Sequence, residues 1–210
     1  MAKGKSKVIA ALSLTMLIFL SGFVLGDLSV SSKLGLVQDL QNEIYTEALG
    51  FEVLFDMAET NLCDELSLAD INYHLTDFGG RLSYLEEKGD EKEAVKILKN
   101  QYNALEIKHF LLINKINNEC ENKYTTILYF YGPKSECRTC LTQGLELSNV
   151  KSDNRDIMIY SFDYTSDFTP VRNLINTHEI EVVPTLVIDE IKYEGYFTES
   201  KIFGLIDSNK

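Results

Sequence analysis

Cys137 and Cys140 stand two residues apart, around Arg138 and Thr139, and follow closely on an apolar run from Thr125 to Tyr131. A C-x-x-C pair placed between a strand and a helix suits thiol chemistry. The free N–H groups and dipole of a helix start favour the thiolate on the first sulfur. A second sulfur about one turn on can attack a mixed disulfide and release the substrate. Cys137 is therefore expected to attack and Cys140 to resolve. Arg138 and Lys134 favour the thiolate further, whereas Glu136 opposes it. Tyr131 either packs beside the dithiol or lines the core. Zinc ribbons use the same spacing, but a tetrahedral site needs two more ligands. The remaining cysteines, Cys63 and Cys120, lie far upstream, and His74, His109 and His178 show no paired spacing, so no metal or other cofactor is expected.

The elements that must position the pair are short. Thr125 to Tyr131 is rich in β-branched and aromatic residues and reads as a buried strand. A helix is expected from near Cys137 to about Val150. Asp156 to Phe162 is a second strand, and Asp167 to Thr177 a second helix with Pro170 in its first turn. His178 falls at the end of that helix, where a positive imidazole would satisfy terminal carbonyls. Pro184 to Ile188 is a third strand, Asp189-Glu190 turns the chain, and Lys192 to Phe197 is its hairpin partner. Thr198 caps a last helix ending near Asp207. The order is β-α-β-α-β-β-α, which fits a central four-stranded mixed sheet.

Residues 124 to 207 resemble a thioredoxin-fold domain on two motifs in the right order. The first is Leu128-Tyr-Phe-Tyr-Gly-Pro-Lys-Ser-Glu-Cys-Arg-Thr-Cys140, which resembles that family's strand, loop and active-site dithiol. The second is Ile180-Glu-Val-Val-Pro-Thr-Leu-Val-Ile188, which resembles its cis-proline loop. The resemblance implies that Pro184 is cis and lies against the dithiol, that Val183 offers its backbone to an extended substrate, and that Thr185 starts the strand. It also implies disulfide exchange with cysteine-containing secreted or membrane proteins, with a redox partner that resets the pair. The direction of electron flow is set by a reduction potential that varies widely within one fold. Three features depart from the family: a longer loop before Cys137, Arg138-Thr139 inside the pair, and Tyr129 in place of a buried acid.

The rest of the chain is of another kind. From Asp27 to about Asn122 the periodicity is helical. A first segment carries Leu40, Ile44, Leu49, Val53 and Met57. A second helix, capped by Ser67, buries Ile71, Leu75, Phe78, Leu82 and Leu85 on one face. After a Gly89-Asp90 turn, a third shows Ala94, Leu98, Tyr102, Leu105, Leu112 and Ile116, with Lys92, Lys96, Lys99 and Lys108 opposite. This hairpin or bundle is read as a spacer or docking platform. Cys63 and Cys120 sit at helix ends that can meet, so they form either a structural disulfide or two buried free thiols. Lys3, Lys5 and Lys7 precede an uncharged run from Val8 to Gly26, long enough for a membrane span with the N-terminus cytoplasmic and the remainder extracytoplasmic. No A-x-A site precedes Asp27, which favours a retained anchor over a cleaved signal peptide.

The expected organisation is thus α+β: a transmembrane anchor over 1–26, an all-helical region over 27–122 and the minimal thioredoxin fold over 123–210. A formal net charge of −12 argues against nucleic acid as a partner. The function expected is a membrane-anchored thiol-disulfide oxidoreductase. The competing expectation is a non-catalytic peptide-binding or docking module of a membrane complex.

Overall fold

The computed structural model describes residues 14–22, 46, 49–88, 92–121 and 123–209. The chain divides into two units, 1–49 and 50–210. In the first, residues 14–22 are helical. The expected membrane-spanning helix is not supported: among the described residues no helix is long and apolar enough to cross a membrane. The parts of that segment at 8–13 and 23–26 lie outside the described residues, as do Leu40 and Ile44. The single-pass membrane location, with its cytoplasmic N-terminus and extracytoplasmic remainder, rested on this span and is withdrawn with it.

In the second unit, residues 50–60 are helical (α1), followed by α2 (Glu65–Lys88) and α3 (Lys92–Glu119). The buried face of α1 is Phe51, Phe55 and Ala58, not the stripe through Leu49, Val53 and Met57, which is solvent-exposed. Both rows have helical spacing, and the aromatic row wins because it buries far more apolar surface. Phe51 packs against Phe78 of α2, with ring centroids 6.5 Å apart. Ile71, Leu75, Phe78 and Leu82 bury the face expected of α2, and Leu98, Leu105, Leu112 and Ile116 that of α3. The Gly89-Asp90 turn and the Ser67 and Ala94 side chains lie outside the described residues. Cys63, just after α1, is disulfide-bonded to Cys120, just after α3, with Cα atoms 5.6 Å apart.

The remaining elements are β1 (Thr125–Tyr131), α4 (Cys140–Asp153), β2 (Ile157–Asp163), α5 (Thr169–Thr177), β3 (Thr185–Ile188), β4 (Ile191–Glu194) and α6 (Glu199–Ser208). The sheet order is β2-β1-β3-β4. β1 is parallel to β2, with Leu128 opposite Tyr160, and antiparallel to β3, with Tyr129 opposite Leu186. Five consecutive residues of β1, Thr126 to Phe130, are buried, the signature of a strand covered on both faces. On one face Ile127 and Tyr129 join Leu147 and Val150 of α4 and Ile202 and Ile206 of α6 in a single core. β4 stops at Glu194, three residues short of the expected end, because Gly195 takes a positive φ of 98° and its N–H turns to Pro184 O at 2.8 Å. His178 closes α5 through its backbone N–H, bonded to Leu174 O at 3.0 Å. Its half-buried ring packs on Phe130, and burial pushes its pKa below the ordinary value, so the expected cationic cap is replaced by a backbone one.

β2 is an edge strand, and α3 covers it. Outward-facing backbone groups on a covered edge need partners. Ser161 N–H donates to Glu106 Oε1 at 3.3 Å, and Ile157 O accepts from Lys151 Nζ at 2.6 Å. Phe110 and His109 of α3 both pack on Tyr160, whose hydroxyl lies 3.0 Å from His109 Nδ1. This explains why α3 buries Asn103, Glu106 and His109 as well as its apolar stripe: it is packed against α2 on one side and the sheet on the other. Glu106 is only 4% exposed, and its Oε2 has no partner among the described residues. Burial raises its pKa to about 8, opposed by the bond from Ser161 and by the neighbouring Tyr102 hydroxyl. Burial and the nearby Lys151 charge lower that of His109 to about 3.

Two outcomes follow from these contacts. Glu106 binds its proton more tightly folded than unfolded, so its contribution is fully present below about pH 4.5 and is lost as pH rises toward 8. Glu106→Gln keeps an acceptor for Ser161 and removes the titration. Denaturant titrations should show it more stable than the parent at pH 8, by on the order of a few kcal/mol, and little different at pH 4. The Cys63–Cys120 bond closes a 57-residue separation, for which the chain-entropy model gives about 4 kcal/mol. Replacing both cysteines with alanine should lower the midpoint of chemical unfolding accordingly, and an unchanged midpoint would remove the bond's stabilising role.

Candidate active site

The dithiol sits where β1 ends. Tyr131 is the last strand residue, Gly132-Pro133 leads out, and the N–H groups of Glu136 and Cys137 both close back on Pro133 O at 2.9 Å. Residues 133–136 are exposed, but Cys137 is 4% and Cys140 5% exposed. The two are disulfide-bonded, with Cα atoms 5.5 Å apart. The helix starts at Cys140, not near Cys137, with Thr139 as N-cap and Gln143 N–H bonded to Thr139 O at 2.8 Å. The longer loop spends the intervening residues on its own turn at Pro133, so Cys137 reaches the helix start through its bond to Cys140. It is neither the first helical residue nor freely exposed in this oxidised form.

Strand β1 holds Cys140 from behind at two points. Tyr129, buried on the α4 side of the sheet, donates its hydroxyl to Cys140 O at 2.6 Å. The Gly132 N–H donates to Cys140 Sγ at 3.5 Å. Burial raises the Tyr129 pKa, which keeps the hydroxyl protonated as a donor.

The Val183–Pro184 peptide is cis. Thr185 Oγ1 donates to Val182 O at 2.7 Å, and Pro184 O accepts from Gly195 N–H, so the loop is tied on both sides. Pro184 and Thr185 are buried, Val183 is half-buried and Val182 is exposed. The loop meets the dithiol at Gly132: a Cβ there would stand 3.1 Å from Val183 Cγ2 and 3.8 Å from Cys137 Cβ. The proline loop, the end of β1 and Cys137 are therefore in mutual contact range around one glycine.

The charged residues expected to tune the pair behave differently from one another. Lys134, Arg138 and Thr139 are exposed, and solvent screens the charges of Lys134 and Arg138 from the sulfurs. Tyr131 stacks beside Tyr129 with ring centroids 5.7 Å apart and carries Lys99 Nζ 5.5 Å over its ring. Lys99 also pairs with Asp163 at 3.1 Å and Glu86 at 3.2 Å. Burial disfavours its ammonium, but Tyr131, Asp163 and Glu86 more than offset this and hold its pKa above the ordinary value. Tyr131 thus ties the site to α3. Among the described residues no cluster of three or more His, Cys, Asp or Glu is arranged to hold a metal ion.

Reading the sequence alone misses three residues that shape the site. Gly132 is one, although a glycine at a strand end signals a close backbone approach. Tyr129 is another: its position is legible in the sequence, but its hydroxyl bond to Cys140 O is not. Gln143 is fully buried in α4 and both donates to Phe197 O at 3.1 Å and accepts from Phe197 N–H at 2.8 Å, which anchors the helix to the segment before α6. No local pattern marks a buried glutamine of this kind.

No protein-family model matches the chain, and no curated protein does. Solved structures resemble part of the chain. A malaria parasite thioredoxin-2 is 16% identical with a TM-score of 0.35, over 43% of this chain and 89% of its own. A chloroplastic thioredoxin z is 21% identical with a TM-score of 0.35, over 45% and 85%. Thioredoxin f2 of Chlamydomonas reinhardtii is 17% identical with a TM-score of 0.33, over 43% and 82%. The β2-β1-β3-β4 sheet, cis-proline loop and flanking helices give the C-terminal part of the chain a thioredoxin-like fold.

Proposed function

We propose that the chain is a thiol-disulfide oxidoreductase that exchanges disulfides with cysteine-containing proteins through Cys137 and Cys140. The observation that carries this reading is the convergence of the Cys137–Cys140 pair and the cis Val183–Pro184 loop on Gly132. Cys137, though itself buried in the oxidised form, lies between the exposed residues Glu136 and Arg138, which is the side a substrate thiolate would approach, whereas Cys140 is held against β1 by Gly132 and Tyr129. In the oxidising direction a substrate thiolate attacks Cys137 Sγ, the Cys137–Cys140 bond breaks, and Cys140 leaves with the electron pair. A second substrate thiolate then attacks the substrate sulfur of the mixed disulfide. Cys137 leaves as a thiolate, the substrate has lost two electrons and the pair has gained them. The reducing direction runs the same steps backwards, and a separate dithiol or disulfide partner resets the pair. Val183 supplies backbone groups along which an extended substrate segment pairs, with Pro184 and Thr185 holding that edge in place.

The two cysteines have unequal roles in this scheme, which gives a direct test. With a synthetic disulfide-containing peptide as substrate, Cys140→Ser should accumulate a mixed disulfide through Cys137, visible by mass spectrometry. Cys137→Ser should accumulate little. The reverse pattern would exchange the roles. If neither variant traps the peptide and the parent pair does not equilibrate with a glutathione series, the domain is a peptide-binding module with an inert bridge.

A further inference from the structure

We propose that Gly132 is a positioning residue of the exchange reaction: its N–H supports Cys140 as the leaving thiolate, and its missing side chain lets the cis-proline loop close on Cys137. The inference rests on the exchange reading above and adds to it which residue makes the pair unequal.

The argument starts from the cost of making a thiolate at Cys140. When a thiolate attacks Cys137 Sγ, the S–S bond breaks and Cys140 Sγ takes the electron pair. Cys140 is 5% exposed, and burial disfavours an anion that water cannot reach. Such a sulfur leaves slowly unless a donor stabilises it, because departure is faster the lower the pKa of the leaving thiol. The donor found at this sulfur is the Gly132 N–H, 3.5 Å away. It is a backbone group at the end of a strand, so it is oriented before the charge develops and needs no reorganisation. Tyr129 restrains the same residue through its carbonyl at 2.6 Å, which keeps Cys140 in place whether or not the S–S bond is intact.

The second half of the argument is steric. Gly132 has no positive φ, so its backbone tolerates other residues; the surroundings do not. A methyl group there would meet Val183 Cγ2 at 3.1 Å, tighter than ordinary contact, and Cys137 Cβ at 3.8 Å. Any side chain at 132 therefore wedges between the residue that presents a substrate and the sulfur that receives it. Shortening Val183 removes the obstacle.

The hydrogen bond is tested in the protein with its glycine intact. In the reduced Cys137→Ser protein, whose only thiol at the site is Cys140, the Gly132 amide proton and nitrogen resonances should follow the ionisation of Cys140 as pH is raised. The steric half is tested with glutathione as the attacking thiol. Folded Gly132→Ala should open its disulfide more slowly than the parent, on the order of tenfold, and Gly132→Ala combined with Val183→Ala should recover most of that loss. A Gly132 amide that ignores Cys140, a folded Gly132→Ala protein that reacts at the parental rate, or a double variant no faster than Gly132→Ala overturns the assignment. A parent protein whose pair glutathione does not open at all instead defeats the exchange reading itself.

Discussion

The geometry of the dithiol depends on strand β1 being held on both edges at once. β2 pairs with it along seven residues and β3 along four, so its backbone has no freedom to shift along the sheet. That fixes where the strand ends. Gly132 can meet both cysteines and Val183 because the residue before it is the last paired one, and because β3 begins one residue after Pro184. The side chains of β1 then divide the work by parity: Ile127 and Tyr129 face α4 and α6, while Phe130 faces the other side, against Phe162 and His178. A slip by one residue would turn Tyr129 away from Cys140 and lose the contact that restrains it.

The helical part of the second unit is bound to this sheet by polar groups as much as by apolar ones. An edge strand needs its outward N–H and C=O groups met, and α3 and α4 each send one long side chain to do so, Glu106 and Lys151. The cost is a buried carboxyl with one oxygen that has no partner among the described residues, which is tolerable while it is neutral. Lys99 adds a second link, since it joins α2 through Glu86, the end of β2 through Asp163 and the end of β1 through Tyr131. One of the helices' cations thus rests on the strand that carries the dithiol.

How far the sequence could be read follows from the range of each cause. The strand–turn–helix order, the C-x-x-C pair and the Val183-Pro184 loop are local patterns, and their elements are found within a few residues of where pattern places them. Boundaries set by competing local turns were less legible: the Pro133 turn absorbs residues that propensity assigns to α4. The face of α1 is ambiguous in the sequence because Leu49, Val53 and Met57 and Phe51, Phe55 and Ala58 both recur at helical intervals, and only tertiary partners choose between them. The buried Glu106 and His109 were invisible for the same reason, being polar residues whose partners lie more than 50 positions away in β2. The apolar run at the N-terminus shows the limit of composition, since hydropathy along a sequence does not establish a helix of spanning length.

The link between α3 and β1 has a mechanical side. Asn117, near the end of α3, grips Tyr124 by both its backbone groups, donating to its O at 2.6 Å and accepting from its N–H at 2.7 Å. Cys120, between them, carries the covalent bond to Cys63. Tension applied at the N-terminal end of α1 thus crosses from Cys63 to Cys120 and passes directly to the connector before β1. The 57 positions that separate the two cysteines could otherwise pay out about 190 Å of chain. While the bond is intact they carry no load, and α2 and α3 can stay folded on the sheet under a pull that reaches β1 undamped.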